Sequence, residues 1–185
     1  TAAIPVLSVM GIQACPMPTA VLTSQTGFKS FYCNDCTDKL DYYTSEWKKL
    51  GFQPDGIYTG FLSSEKQVDK ILDFINSFET ENTLVLVDPV MGDGGRTYSL
   101  FTDALACKMK KLVTVADVIT PNLTECCILC DVDYCEFIKN ADKPDFLDKI
   151  AELGKNLLNR YGVKIVIITG IEHKDIDGTM YVQYL

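Results

Sequence analysis

The sequence has one histidine, no long apolar run and few clustered positive charges, and each shortage removes a class of function. The lone histidine, His173, sits in the polar stretch EHKDIDG and reads as a surface residue. No Ser/His/Asp or Cys/His arrangement builds around it. The longest apolar run, around Val163 to Ile168, is strand-sized, well short of the ~20 residues that cross a bilayer. The first residues, Thr1 to Pro5, contain no basic region leading into an apolar core, so the expected location is the cytoplasm and no membrane partner is expected. The net charge is −8, and Lys108, Lys110 and Lys111 form the one basic cluster. Nucleic acid is therefore not an expected partner. Neither GxxxxGK[ST] nor GxGxxG occurs, which leaves a P-loop or a dinucleotide fingerprint without support.

Cysteine is not scarce. The eight thiols include Cys33-x-x-Cys36 and Cys127-x-x-Cys130, formally a pair of metal-binding spacings. About ninety residues separate the two pairs, and the second falls in a predicted helix beside Cys126, unlike a compact zinc ribbon. Without an export signal or loop-rich patterning, disulfides have little support either. The expectation is reduced, mostly buried thiols.

At 185 residues, with 47% hydrophobic and 23% charged residues, the chain has the balance of one soluble globular domain. Strand-like and helix-like segments alternate along it. Residues 2–10 read as a helix closed by Gly11, and 12–15 and 20–23 as short strands. Residues 27–36 read as a loop or flap, and Thr37 as the cap of a helix reaching Leu50, stopped by Gly51. A strand at Asp55–Thr59 leads to a helix capped by Ser63 or Ser64, with Val68, Ile71, Leu72 and Ile75 at helical spacing. Leu84–Val87 is a continuous apolar run, expected to be a parallel strand covered on both faces. A helix near 103–114, a strand at Asp117–Thr120, a helix from Asn122, a long helix over Asp145–Arg160 and a strand at Lys164–Thr169 follow. Gly178–Leu185 reads as one arm of a hairpin after an Asp177-Gly178 turn. The pattern predicts an open, mostly parallel α/β sandwich, whose ligands sit at the carboxyl ends of the strands.

Three predicted strands end in polar residues: Asp88, Thr120 and Thr169. In Asp88-Pro-Val-Met-Gly-Asp93-Gly-Gly, two carboxylates follow a buried strand among glycines that admit close backbone approach. Such hard oxygen ligands suit Mg²⁺ shared with phosphates, although a solvated acidic turn has the same composition. Asn122 and Glu125 are spaced as a capping box, which alone would explain both. Equally, both side chains could face the crevice, with Glu125 helping to hold a metal.

Read together, Pro18-Thr19-Ala-Val-Leu22, Tyr58-Thr-Gly-Phe61-Leu62, Asp88-Pro-Val-Met-Gly-Asp93 and Ile119-Thr-Pro-Asn-Leu-Thr-Glu125 resemble the pyridoxine/pyridoxal kinases of the ribokinase-like superfamily. The likeness spans nearly the whole chain. DPVMGD alone is shared with hydroxymethylpyrimidine kinases, and the PTAVLTSxTG stretch favours the vitamin B6 branch. The resemblance implies a three-layer α/β/α ribokinase-like fold with a mostly parallel central sheet, and a homodimer. It implies transfer of the ATP γ-phosphoryl group to the 5′-hydroxymethyl of pyridoxal, pyridoxine or pyridoxamine, with ATP and Mg²⁺ as cofactors and a monovalent cation as an optional third. On this likeness Thr19 and Phe61 contact the vitamer. Asp88, Asp93, Asn122, Glu125 and Thr169 surround the nucleotide, and Asp88 and Glu125 hold the metal. Family members also carry a first strand with a substrate-contacting Ser, and a GTGD-type segment whose Asp is the base. Neither lies within residues 1–185, so the expectation for this chain alone is a partial, inactive kinase domain with its base beyond Leu185. Gln25, where many relatives have His, and Phe61, where some have Tyr, bear on vitamer preference. A hydroxymethylpyrimidine kinase and a non-catalytic vitamer-binding protein are the alternatives.

Overall fold

Strands and helices alternate as the apolar spacing requires, in a computed structural model that describes residues 3–24, 28–139, 141–174 and 180–183. Helix α1 (Ala3–Val9) ends before Gly11, whose φ of +78° suits a residue without Cβ. Residues 12–15 form no strand. Strands β1 (Ala20–Leu22) and β2 (Cys33–Asp35) pair antiparallel, so the expected loop at 27–36 contains one arm of a hairpin. Thr37 lies inside a 3₁₀ turn (Thr37–Lys39) that leads into α2 (Leu40–Lys49). Neither element has a side-chain cap of its own; ahead of them Asp35 Oδ1 accepts the Thr37 N–H at 2.7 Å.

The central sheet follows. Strands β3 (Gly56–Thr59) and β4 (Leu84–Val87) are joined through α3 (Glu65–Phe78), whose cap is Ser64. A short hairpin of β5 (Gly92–Asp93) and β6 (Arg96–Thr97) precedes α4 (Asp103–Val113), which is capped by Thr102. Next come β7 (Val118–Ile119), α5 (Leu123–Cys130), the unexpected short α6 (Tyr134–Ile138), α7 (Phe146–Tyr161) and β8 (Ile165–Val166). The predicted strand to Thr169 is thus shorter, continued only by a parallel bridge between Thr169 and Asn122. Strands β9 (Ile171–Lys174) and β10 (Met180–Gln183) make an antiparallel hairpin; its Asp177-Gly178 turn lies outside the described residues.

The sheet order is β3-β4-β7-β8, all parallel, the α/β class expected. Ile57, Val85, Val87 and Ile119 share one core with Val68, Ile71 and Ile75 of α3, Leu112 of α4, Leu129 of α5 and Leu157 of α7. Each such side chain contributes about 1.5–3 kcal/mol by leaving water. Residues of opposite pleat face the other way. There Val118 is buried, but Tyr58, Leu84 and Ile165 are half exposed, Leu84 and Ile165 at 51% each. The apolar run 84–87 is therefore covered on one face rather than both. A continuous apolar run does not reveal which of its faces is covered.

Among the described residues no helix is long and apolar enough to cross a membrane. All eight cysteines are free thiols. Cys36, Cys126 and Cys127 are buried, while Cys15, Cys107 and Cys135 are exposed, so burial is less general than expected. Desolvation pushes the Cys126 thiol well up and the Cys127 thiol to about 11, leaving both protonated at neutral pH.

Candidate active site

Because the four central strands run parallel, their carboxyl ends share one edge. The Asp88 N–H donates to Thr59 O at 3.0 Å, Thr120 N–H to Val87 O at 3.2 Å and Thr169 N–H to Pro121 O at 2.9 Å. These backbone bonds continue the ladder past the strands and bring Asp88, Asn122 and Thr169 to one edge.

The capping reading of Asn122 and Glu125 is realised in full. Asn122 Oδ1 accepts the Glu125 N–H at 3.0 Å, and Glu125 Oε2 accepts the Asn122 N–H at 2.8 Å. Both side chains also reach beyond the helix. Glu125 Oε1 accepts the Met91 N–H at 3.0 Å, and Asn122 Nδ2 donates to Gly92 O at 2.8 Å. The β5–β6 hairpin is thereby tied to α5, with a further bond from Gly95 N–H to Thr124 Oγ1 at 2.9 Å. Asp93 sits exposed on that hairpin and accepts the Gly94 N–H.

Electrostatics set these groups apart. Glu125 is 3% exposed, and burial pushes its carboxyl up to about 7 against the pull of the Asn122 and Met91 N–H groups; the Asp88 charge adds to the rise. Asp88 is likewise raised by burial, partly offset by a hydrogen bond from Tyr58. The Tyr58 hydroxyl is raised in turn, by burial and then by Asp88. Tyr98 lies in the same field: burial raises its hydroxyl, and Asp93, Glu125 and Asp88 add to it. Among the described residues, no ion pair includes Asp88, Asp93 or Glu125. Nor do any three His, Cys, Asp or Glu side chains converge as a ready-made metal cage. The site is a partly buried cluster of carboxylates that, among the described residues, has no ion-pair partner. Such a cluster fits a hard divalent cation completed by ligand oxygens better than a protein-only metal cage.

Thr19 and Phe61 also come together. Thr19 Oγ1 donates to Phe61 O at 2.7 Å, just past the end of β3. A cavity of about 360 Å³ lies beside the Asn122–Thr169 bridge, lined by Asp93, Asn122, Thr124, Tyr134, Phe146 and Ile171 among others. Sequence reasoning missed Tyr58 and Tyr98 as members of the site. Tyr58 had a usable signal, a polar-tipped aromatic one residue before a strand end; Tyr98 had none.

Known proteins resemble the chain in sequence and fold. A Schizosaccharomyces pombe protein named as a candidate pyridoxal kinase is 32% identical over 169 residues, 89% of this chain and 46% of its own. A Bacteroides thetaiotaomicron protein described as a candidate phosphomethylpyrimidine kinase, crystallised with pyridoxal, is 43% identical with a TM-score of 0.82. That match covers 91% of this chain and 56% of the other. Pyridoxal kinase from Leishmania donovani, in complex with ADP and pyridoxamine, shares the fold with a TM-score of 0.77 at 20% identity, over 99% of this chain and 62% of its own. The chain spans about half the length of the curated relative, 46%, and little more of the Bacteroides structure, 56%. The family model described as phosphomethylpyrimidine kinase matches residues 2–185, strand ends and hairpin included, and the chain belongs to that family.

Proposed function

We propose that the protein phosphorylates the 5′-hydroxymethyl group of a B6 vitamer with ATP and Mg²⁺. The observation that carries this reading is the uncompensated carboxylate pair, Asp88 and Glu125, at the carboxyl edge of a parallel sheet. Two carboxylates raised by burial, neither in an ion pair among the described residues, favour a cation, and phosphoryl transfer depends on charge neutralisation and positioning. Mg²⁺, when bound, draws together the phosphate oxygens and offsets their charge. Asp88 and Glu125 would hold it. Asn122 and Thr169, side by side on adjoining segments, and Asp93 on its hairpin would orient the nucleotide. Thr19 and Phe61 would border the vitamer ring, in keeping with the Bacteroides relative's pyridoxal complex. A homodimer and a cytoplasmic location accompany this reading through the family resemblance.

A hydroxymethylpyrimidine substrate is the second reading, favoured by the family match itself. One assay separates the two: the full-length protein, given MgATP and a mixture of pyridoxal, pyridoxine, pyridoxamine and hydroxymethylpyrimidine, followed by mass spectrometry. A B6 5′-phosphate is expected. Phosphorylation of hydroxymethylpyrimidine alone would transfer the pocket to the second substrate, and no product would point to a binding protein.

A further inference from the structure

Gln67 is the one fully buried side chain in the described residues that carries an amide, at 0% exposure in the first turn of α3. Its Oε1 accepts the Ser63 N–H at 2.8 Å. Its Nε2 faces Thr19 O at 2.7 Å, Thr37 Oγ1 at 3.0 Å and Asp35 Oδ2 at 3.2 Å. These partners decide which way the amide points. Reversing it would set its NH₂ against the Ser63 N–H and its oxygen against Thr19 O and Asp35. The same Asp35 oxygen accepts the Ser63 hydroxyl at 2.6 Å. Burial pushes the Asp35 carboxyl up, yet the bonds from Ser63, Thr37 and Gln67 outweigh it and hold the group below its ordinary range.

One amide thus links three segments distant in sequence: the residue before β1, the end of β2 with the turn behind it, and the loop following β3. Packing alone would not require it. An apolar side chain of similar size fills such a space without the desolvation that a buried amide must recover. What the amide adds is direction. Thr19 O is held by Gln67 and by the Cys36 N–H at 2.9 Å, while the Thr19 hydroxyl is turned onto Phe61 O.

We infer that Gln67 is a positioning residue of the substrate pocket: by fixing Thr19 and the 61–63 loop against each other, it sets the affinity for the vitamer ring and leaves the phosphoryl-transfer step alone. The inference rests on the function proposed above, in which Thr19 and Phe61 border the ring. A wall group that holds the ring equally in the ground and transition states acts on KM and leaves kcat unchanged, and an effect confined to the ring pocket spares the nucleotide.

The test uses the full-length protein with pyridoxal and MgATP. Gln67→Glu keeps the size and the acceptor for Ser63 but turns a donor into an acceptor facing Thr19 O. The KM for pyridoxal is expected to rise at least about tenfold, with kcat and the KM for ATP within about twofold of wild type. Asp35→Asn, at an exposed position, guards against a variant that fails to fold. It is expected to move the pyridoxal KM in the same direction by a few-fold, with a smaller fall in melting temperature than Gln67→Glu. A pyridoxal KM within twofold of wild type in both variants would overturn the inference, as would parallel losses in kcat and in the KM for ATP. A wild-type protein that phosphorylates no vitamer would instead overturn the proposed function, and equilibrium binding of pyridoxal to the two variants would then decide the role of Gln67 alone.

Discussion

Asn122 and Glu125 cap each other across the first turn of α5, and each holds the loop after β4 with a second bond, to Gly92 O and the Met91 N–H respectively. The capping and ligand-facing readings of these residues are therefore compatible. The helix start and the site's charge are made by the same atoms.

Glu125 gives a pH dependence with a definite sign. Its carboxyl is raised to about 7 in the fold against an ordinary 4.5. Between these values the folded state binds the proton and the unfolded state does not, so stability falls as pH rises through this window and levels off above it. The full effect is about 3 kcal/mol for metal-free protein. Thermal unfolding from pH 4.5 to 8 should show the decline, and Mg²⁺ added at pH 7.5 should reverse part of it. Glu125→Gln should flatten the profile, lying below wild type near pH 4.5, where one of the two backbone N–H groups loses its acceptor, and meeting or passing it towards pH 8, where the wild-type charge is buried. A flat wild-type profile would show that the charge is relieved another way.

Tyr58→Phe removes the one hydrogen bond that pulls the Asp88 carboxyl down against its burial. The Asp88 titration, followed by carboxyl carbon NMR, should shift to higher pH. Divalent-cation binding should weaken on the acid side of the profile, where more of the carboxyl is protonated. An unchanged titration would mean that Tyr58 does not restrain Asp88 in solution.

Gly95 has φ +77°, and a Cβ there would come within 2.4 Å of the Tyr134 ring. Gly95→Ala therefore combines backbone strain with a clash, for an expected loss of about 1–3 kcal/mol. The displaced hairpin should also release the Gly95–Thr124 bond. Denaturant unfolding measures the first effect, and amide exchange at Gly94 and position 95 the second. Stability equal to wild type would contradict this packing.

The sheet predicts unequal costs for adjacent residues. Val85 is 0% exposed and Leu84 is 51% exposed. In the 185-residue chain, Val85→Ala should cost about 2–3 kcal/mol and Leu84→Ala under about 1, both read from denaturant midpoints. Equal costs would indicate that the Leu84 face is covered.

Much of this was legible in the sequence, for identifiable reasons. Caps with side-chain oxygens, such as Ser64 and Thr102, and the long periodic helices α3 and α7 leave strong local signals. Strand ends carrying Asp88, Thr120 and Thr169 followed from topology, because parallel strands deliver their carboxyl ends together. The two-residue strands β5 and β6 and the five-residue α6 are too short to show a period, and residues 12–15 alternate without finding a partner strand. Gln67 and Tyr98 escaped notice because their importance arises through space. A glutamine in a first helical turn looks solvated until the segments it joins are folded around it.

The double duty of Asn122 and Glu125 also limits how such a pocket can be retuned. A substitution there that altered ligand preference would unmake the start of a helix in the same stroke, so few variants could be sampled without loss of the fold. Tyr58, Tyr98 and Asp93 touch the same field without carrying that helix. Variation in ligand choice is most accessible through them, and a library directed at those three positions should yield folded proteins far more often than one directed at the cap.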